Sequence, residues 1–192
     1  MRVLQFRTGN GLTFDILVDR AFDLDSLEYR EAALGFHSPT GFRSPWLHNA
    51  EGEVVQATMF AENLHLLRRV EIEVGTHAIQ LYDQVENRGY DATPHMMLYH
   101  INLAWPLLDA GGEVHAPVDG TPWTSLPDQP GPQANFREHF REQVYEHSLI
   151  PGPDGRVPVA LVNPNYPWEN GGSGLGFLLE YVSRQLPAFY QW

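Results

Sequence analysis

At 192 residues the chain is long enough for one domain with its own hydrophobic core. Its 24 acidic and 12 basic residues give a net charge of -12, which would repel a nucleic-acid backbone. Cysteine is absent, which excludes disulfides, and no apolar run resembles a signal peptide or reaches membrane-spanning length. We therefore expect a cytoplasmic protein that binds neither nucleic acid nor membrane.

Alternating apolar and polar residues predict short strands along most of the chain. The first is "GLTFDILVDR" at 11–20, preceded by the hairpin-turn dipeptide Asn10-Gly11. Further strands are predicted in "RRVEIEVG" (68–75), "HAIQLYDQVENRG" (77–89), "VPVALVN" (157–163) and "GLGFLLEYVS" (174–183). In "RRVEIEVG", Val70, Ile72 and Val74 are expected to face inward. Many short, turn-bounded strands predict an all-β antiparallel sandwich or barrel, in one domain over 1–192.

The run "MMLYHINLAWPLL" at 96–108 contains two polar residues, His100 and Asn102, among apolar ones. If residues 96–103 form a strand, their side chains alternate between its two faces. One face then carries the predicted core residues Met97, Tyr99, Ile101 and Leu103. The other begins apolar and ends with His100 and Asn102, which is typical of a sheet that opens into a pocket.

Two stretches are predicted as loops. Residues 116–135 contain five prolines and are not expected to run as a central strand. Residues 163–174 are rich in Pro, Asn and Gly. Between them, Phe136, Phe140 and Val144 recur at four-residue spacing, which favours a short helix, whereas "QVYEHSL" at 143–149 equally favours a strand.

The available chemistry favours recognition of a polyol. The nine histidines show no spacing typical of a zinc site, and neither a nucleophile elbow nor a convincing phosphate-binding loop occurs. No metal or cofactor is therefore expected. Carboxylates and amides bind hydroxyl groups, and tryptophan and tyrosine rings cover apolar C–H patches, so a neutral sugar suits this composition.

Four stretches together resemble a known family. These are "GLTFDILVDRAFDL" (11–24), "GFHSPTGF" (35–42), "LYHINLAWPLL" (98–108) and "RQLPAFYQW" (184–192). They resemble the aldose 1-epimerase-like bacterial proteins of domain of unknown function 4432, which are similar to galactose mutarotases. The resemblance implies a galactose-mutarotase-like β-sandwich (a supersandwich), reduced in size, and a small-molecule sugar as ligand.

The chain departs from the family pattern in two places. "SPWLHNAEGE" (44–53) leads almost directly into "VVQATMF" (54–60), where family members carry a long segment with a glycine-rich stretch and a "HGR" motif. Family members also continue beyond the final "QW" with further strands. Missing strands leave sheet edges open to pairing with another chain. We therefore expect a homo-oligomer, in the simplest case a homodimer.

The resemblance implies roles for particular residues. His100 corresponds to the histidine that protonates the sugar ring oxygen, and Glu142 matches a family acidic position, which makes it one candidate general base. The second candidate base, Glu180, comes from its own position on a strand face, where a carboxylate needs a partner. The residues implied to contact the sugar are Arg20, Asp23, Asn102, Gln191 and Trp192. Purely structural roles remain open: His100 bonded to a backbone carbonyl, Arg20 and Asp23 fixing a turn, and Glu180 facing water.

The predicted function is recognition of a free sugar or sugar derivative, with aldose 1-epimerase chemistry as the implied reaction. A histidine acid and a glutamate base suit proton transfer near neutral pH, and no cofactor is needed. The alternative is a non-catalytic sugar-binding or oligomeric structural β-module derived from the same family.

Overall fold

A computed structural model of the protein describes residues 1–36, 54–57 (backbone only), 62–127, 138, 142–169 and 171–192. The chain forms two compact units, Met1–Leu103 (unit 1) and Ala104–Trp192 (unit 2). The single domain expected over 1–192 stays a prediction.

Unit 1 contains two antiparallel sheets in which sequential strands are neighbours. The first sheet consists of β1 (Val3–Arg7), β2 (Leu12–Leu17), β3 (Asp23–Tyr29) and β4 (Ala32–Ala33). The second consists of β5 (Val54–Ala57), β6 (Asn63–Ile72) and β7 (Ile79–Asn87). The β1–β2 hairpin predicted from Asn10-Gly11 is confirmed, with Phe6 opposite Phe14.

Unit 2 also contains two antiparallel sheets. Its strands are β8 (Glu113–His115), β9 (Val118–Thr124), β10 (Tyr145–Leu149), β11 (Arg156–Asn163), β12 (Leu175–Val182) and β13 (Phe189–Gln191). One sheet has the order β13-β10-β9 and the other β12-β11-β8. The predicted all-β antiparallel class is thus confirmed. In the described residues, no helix is long and apolar enough to cross a membrane.

The core of unit 1 lies between its two sheets. Leu12, Phe14 and Ile16 alternate along β2 and are buried. The half-buried residues packed against them come from both sheets and the turns beside them: Phe6, Phe22, Leu27, Tyr29, Val70, Ile72 and Ile79. This face-to-face packing is that of a β-sandwich.

The inward side of β6 was predicted correctly at Val70 and Ile72, and Arg69 and Glu71 face water. The prediction for Val74 is wrong, because its side chain is 84% exposed. β6 ends at Ile72, so Val74 lies in the hairpin turn, where strand alternation no longer applies. In unit 2, alternation along β11 holds, with Val157, Val159 and Leu161 buried.

The strand predicted at 96–103 is wrong. Residues 92–102 have no regular secondary structure, and Leu103 forms a single isolated bridge with Gly35. Ile101, predicted to be in the core, is 45% exposed, whereas Met97, Tyr99 and Leu103 are half-buried. The alternating residues do not form a strand here, because no strand described in the structure runs alongside residues 92–102 to form a ladder.

The loop predicted at 116–135 is wrong in its first half, because Val118–Thr124 forms β9. β9 is an edge strand, where proline is tolerated. Pro122 lies at an irregularity of the β9–β10 pairing, between the partners Trp123–Glu146 and Gly120–Ser148. The second half of this loop from residue 128, together with Phe136 and Phe140 of the alternative helix, lies outside the described residues. The strand alternative is confirmed as β10, and the loop after Asn163 is also confirmed.

Candidate functional site

The inward face of the β6–β7 hairpin carries an ion pair among apolar residues. Arg68 and Asp83 are direct cross-strand partners. The guanidinium binds the carboxylate in a bidentate manner, with Nε donating to Oδ1 at 2.8 Å and Nη2 to Oδ2 at 2.8 Å. Their side chains are only 13% and 4% exposed, respectively. Such a fork of two parallel bonds is among the strongest and most directional contacts in proteins.

Tyr99 joins this pair from a distant part of the chain. Its hydroxyl donates to Asp83 Oδ2 at 2.6 Å. Burial and this hydrogen bond raise the pKa of Tyr99 to about 12. Burial also tends to raise the pKa of Asp83, but the hydrogen bonds from Arg68 and Tyr99 outweigh it, and the pKa lies below its ordinary value. The carboxylate is therefore firmly ionised and the phenol neutral at physiological pH.

The turn between β2 and β3 approaches the same guanidinium. Arg68 Nη1 lies 3.4 Å from both the Ala21 carbonyl oxygen and Asp23 Oδ1. Within the turn, Asp23 N donates to the Arg20 carbonyl at 3.0 Å, and the Arg20 Nε atom lies 3.9 Å from Asp23 Oδ2. The side chains of Arg20 and Asp23 are 31% and 46% exposed. They are thus partly open to solvent on a turn whose backbone is tied to buried groups.

This turn has two consecutive left-handed residues that are not glycine, Ala21 with φ 56° and Phe22 with φ 59°. Such conformations cost roughly 1–3 kcal/mol each and persist only where the surroundings fix them. Phe22 packs against the core, and Arg68 holds the Ala21 carbonyl. The β3–β4 turn has the same conformation at Arg30 and Glu31, so the geometry alone does not mark a site. The contacts to Arg68 do distinguish this turn.

His100 and Asn102 lie on the segment that Tyr99 attaches to the β6–β7 hairpin. Both side chains are exposed. The Asn102 carbonyl accepts a hydrogen bond from Phe36 N at 3.1 Å, next to the bridge between Gly35 and Leu103. Four predicted site residues, Arg20, Asp23, His100 and Asn102, therefore belong to chain segments joined through Arg68, Asp83 and Tyr99.

The other predicted site residues lie in unit 2. Glu142 is exposed just before β10, and Trp192 is 54% exposed. Glu180, on β12, is exposed and binds Arg156 across the strand pair at 2.9 Å. This placement corresponds to the solvent-facing role left open for Glu180.

Gln191 contacts a buried histidine that sequence reasoning did not single out. His147 on β10 is 8% exposed, and its Nε2 atom lies 3.3 Å from Gln191 Oε1. Its Nδ1 atom lies 2.9 Å from Thr121 Oγ1, and its ring lies near the rings of Tyr145 and Phe189, with centroid distances of 5.9 Å and 6.2 Å. Both ring nitrogens have protein partners, so this histidine fixes the β9–β10–β13 sheet.

A shallow depression of about 390 Å³ in unit 2 lies beside the β11–β12 turn. It is lined by Val162, Pro164, Ser173, Gly174, Leu175 and Gly176, none of them a predicted site residue. Across the described part of the chain, no group of three His, Cys, Asp or Glu side chains is placed to hold a metal ion.

The site residues missed by sequence reasoning are Arg68, Asp83 and Tyr99. A signal for the first two was present. The alternation that turns Val70 and Ile72 inward also turns Arg68 inward, and that of Ile79 and Val85 does the same for Asp83. A charged residue on an inward face needs an opposite charge, and each of these strands supplies one.

The chain was compared with known proteins and protein families. Neither the curated proteins nor the solved structures contain a significant match. The family described as Domain of unknown function (DUF4432) matches residues 1–52 and 49–192. The two matched segments meet where the family's central segment is expected to be missing. Because they cover the whole sequence, the chain belongs to the DUF4432 family.

Proposed function

We propose that the protein binds a free sugar or sugar derivative through unit 1, on a reduced galactose-mutarotase-like β-sandwich. The observation that carries this proposal is the junction of two chain segments at Arg68. One presents the half-exposed Arg20 and Asp23, and the other presents the exposed His100 and Asn102. Guanidinium, carboxylate, imidazole and amide groups together supply both donors and acceptors, as vicinal hydroxyls require.

Binding is tested by thermal unfolding and calorimetry with a panel of neutral monosaccharides and uronates. A ligand that binds only the native state stabilises it by RT ln(1 + [L]/Kd), so the melting temperature rises with the ligand concentration and with its affinity. Arg20→Ala should lower the affinity for the ligand that binds best by roughly 10- to 100-fold, since hydrogen bonds to charged groups contribute about 1.5–3 kcal/mol. Arg30→Ala, in the similar β3–β4 turn, is the matched control and should bind normally. If no sugar stabilises the wild-type protein, the proposal is wrong.

Aldose 1-epimerase activity is the catalytic form of this proposal. A carboxylate takes the proton of the anomeric hydroxyl while His100 donates a proton to the ring oxygen, and the bond between that oxygen and the anomeric carbon breaks. Rotation of the resulting aldehyde and ring closure give the other anomer. Glu142 and Glu180, the candidate bases predicted from the sequence, both lie in unit 2, and Glu180 already binds Arg156. The reaction needs no cofactor.

Polarimetry on freshly dissolved aldoses tests the catalytic form. Loss of general acid catalysis in His100→Gln should slow mutarotation by roughly two to four orders of magnitude and leave most of the sugar affinity intact. His95→Gln, on the same segment, is the control. A wild-type protein that binds sugar but accelerates the mutarotation of no aldose would leave the alternative, a non-catalytic sugar-binding module.

The cytoplasmic location stays a prediction.

A further inference from the structure

The segment 92–103 carries two of the proposed sugar-binding residues but belongs to no strand. Near its end, the Asn102 carbonyl and Leu103 bind the backbone at Phe36 and Gly35. In its middle, the Tyr99 hydroxyl binds Asp83 at 2.6 Å. A side-chain bond therefore contributes here what a ladder of backbone bonds contributes in a strand.

Asp83 is suited to this role because it cannot easily move. Its side chain is 4% exposed, and its two oxygens are fixed by two guanidinium bonds of 2.8 Å. Oδ2 accepts from both Arg68 and Tyr99. A carboxylate held in this way gives the phenol one well-defined position, and that position is next in the chain to His100.

Arg68 connects Asp83 to the turn between β2 and β3. Its Nη1 atom reaches the Ala21 carbonyl and Asp23 Oδ1, both at 3.4 Å. The guanidinium thus bridges the Arg20–Asp23 turn and the carboxylate that holds Tyr99. A lysine at this position has a single ammonium group and cannot bind in this forked geometry.

We infer that Arg68, Asp83 and Tyr99 are positioning residues that hold the His100–Asn102 segment in a fixed place relative to the Arg20–Asp23 turn. The significance of this placement for ligand binding rests on the proposed function. The placement itself rests on the contacts alone. The raised pKa of Tyr99 agrees with a phenol that stays protonated and donates to Asp83 over the physiological pH range.

The test removes one hydroxyl and measures the segment directly. Tyr99→Phe should speed hydrogen–deuterium exchange in peptides covering 92–103 by at least about fivefold, since local opening becomes easier. The ring resonances of His100 in NMR spectra should shift. Tyr82→Phe is the matched control, because it also removes a tyrosine hydroxyl, from the residue next to Asp83. That hydroxyl donates to Gln80 Oε1 at 2.7 Å and not to Asp83. Tyr82→Phe should change neither the exchange rate of 92–103 nor the His100 resonances.

A second variant tests the same inference if Tyr99→Phe does not fold. Arg68→Lys keeps the charge but loses the fork, and should speed exchange both in 92–103 and in peptides covering the Arg20–Asp23 turn. If exchange in 92–103 and the His100 resonances are unchanged in folded Tyr99→Phe, the inference is overturned, whatever the protein binds.

Sugar affinity separates this inference from the proposed function. Faster exchange together with at least about tenfold weaker sugar binding in Tyr99→Phe supports both. Faster exchange in a protein whose wild-type form binds no sugar supports the positioning role and overturns the proposed function. Faster exchange with unchanged sugar affinity supports the positioning role and overturns the placement of His100 and Asn102 in the sugar site.

Discussion

Asp83 shows how one side chain can connect distant parts of a chain. It is the cross-strand partner of Arg68, and it accepts hydrogen bonds from both Arg68 and Tyr99. Removing one member of such a buried pair typically costs about 3–5 kcal/mol, because the remaining charge loses its partner. Replacing Asp83 should therefore also disturb the contact between Arg68 and Asp23.

The protonation state of Tyr99 gives a direct spectroscopic test of this cluster. Its pKa is raised to about 12, whereas a tyrosine with the ordinary value of 10 is roughly nine-tenths ionised at pH 11. Because the folded state holds the proton more tightly than the unfolded state, this group's contribution to stability is lost as the pH rises from about 10 to about 12.

Asp83→Asn removes the carboxylate, so Tyr99 should ionise more readily, and absorbance near 295 nm at pH 11 should increase by a fraction of one tyrosine. The double variant Tyr99→Phe, Asp83→Asn should show no such increase over Tyr99→Phe. An increase that persists in the double variant would assign the change to another tyrosine.

At the scale of elements, turns rather than strands set several important positions. The β1–β2 turn contains Gly9 with φ 83° and Gly11 with φ 95°, conformations that glycine adopts without steric cost. A Cβ atom at Gly11 would lie 2.7 Å from Arg30 Cγ, whereas one at Gly9 would meet nothing within 4 Å. The hairpin therefore approaches the β3–β4 turn closely at one of the two glycines.

These two glycines form a matched pair of substitutions. Gly9→Ala should destabilise the protein by about 1 kcal/mol through backbone strain alone. Gly11→Ala should cost about 2 kcal/mol or more, because the new methyl group also displaces the Arg30 side chain. Denaturant unfolding measures the difference, and equal losses in the two variants would contradict the close approach.

The segment 92–103 gives a second comparison at this scale. Ile101 is 45% exposed, so Ile101→Asp should change stability by less than about 1 kcal/mol. Ile16→Asp places the same charge at a position that is 1% exposed and should prevent stable folding. If Ile101→Asp instead yields no soluble protein, Ile101 belongs to the core, as the alternation of 96–103 predicts.

At the scale of the molecule, the net charge of -12 and the open edges of the described sheets act in opposite directions. Open sheet edges favour pairing between copies, whereas like charges oppose it. We expect a homodimer or larger assembly whose association strengthens between low and moderate salt, as the repulsion is screened. Sedimentation velocity over a range of protein and salt concentrations measures this. A monomer at high concentration in all salts would contradict it.

Much of the fold and part of the candidate site were predictable from the sequence. Period-two alternation sufficed for β2, β6, β7, β11 and β12, because one face of each strand packs inward and the other does not. It failed at 96–103, where the same alternation occurs without a partner strand. Proline in 116–124 indicated a loop, but an edge strand accommodates it equally well.

The sequence by itself determined the all-β class, the β1–β2 hairpin and the inward residues of β2, since these depend on local alternation and turn chemistry. Only the tertiary structure decided that Tyr99 binds Asp83 and that Arg68 reaches the Arg20–Asp23 turn. Sixteen residues separate Tyr99 from Asp83 and 45 separate Arg68 from Asp23, and no local pattern specifies such distances. Strand register and the packing of one sheet on another bring these groups together.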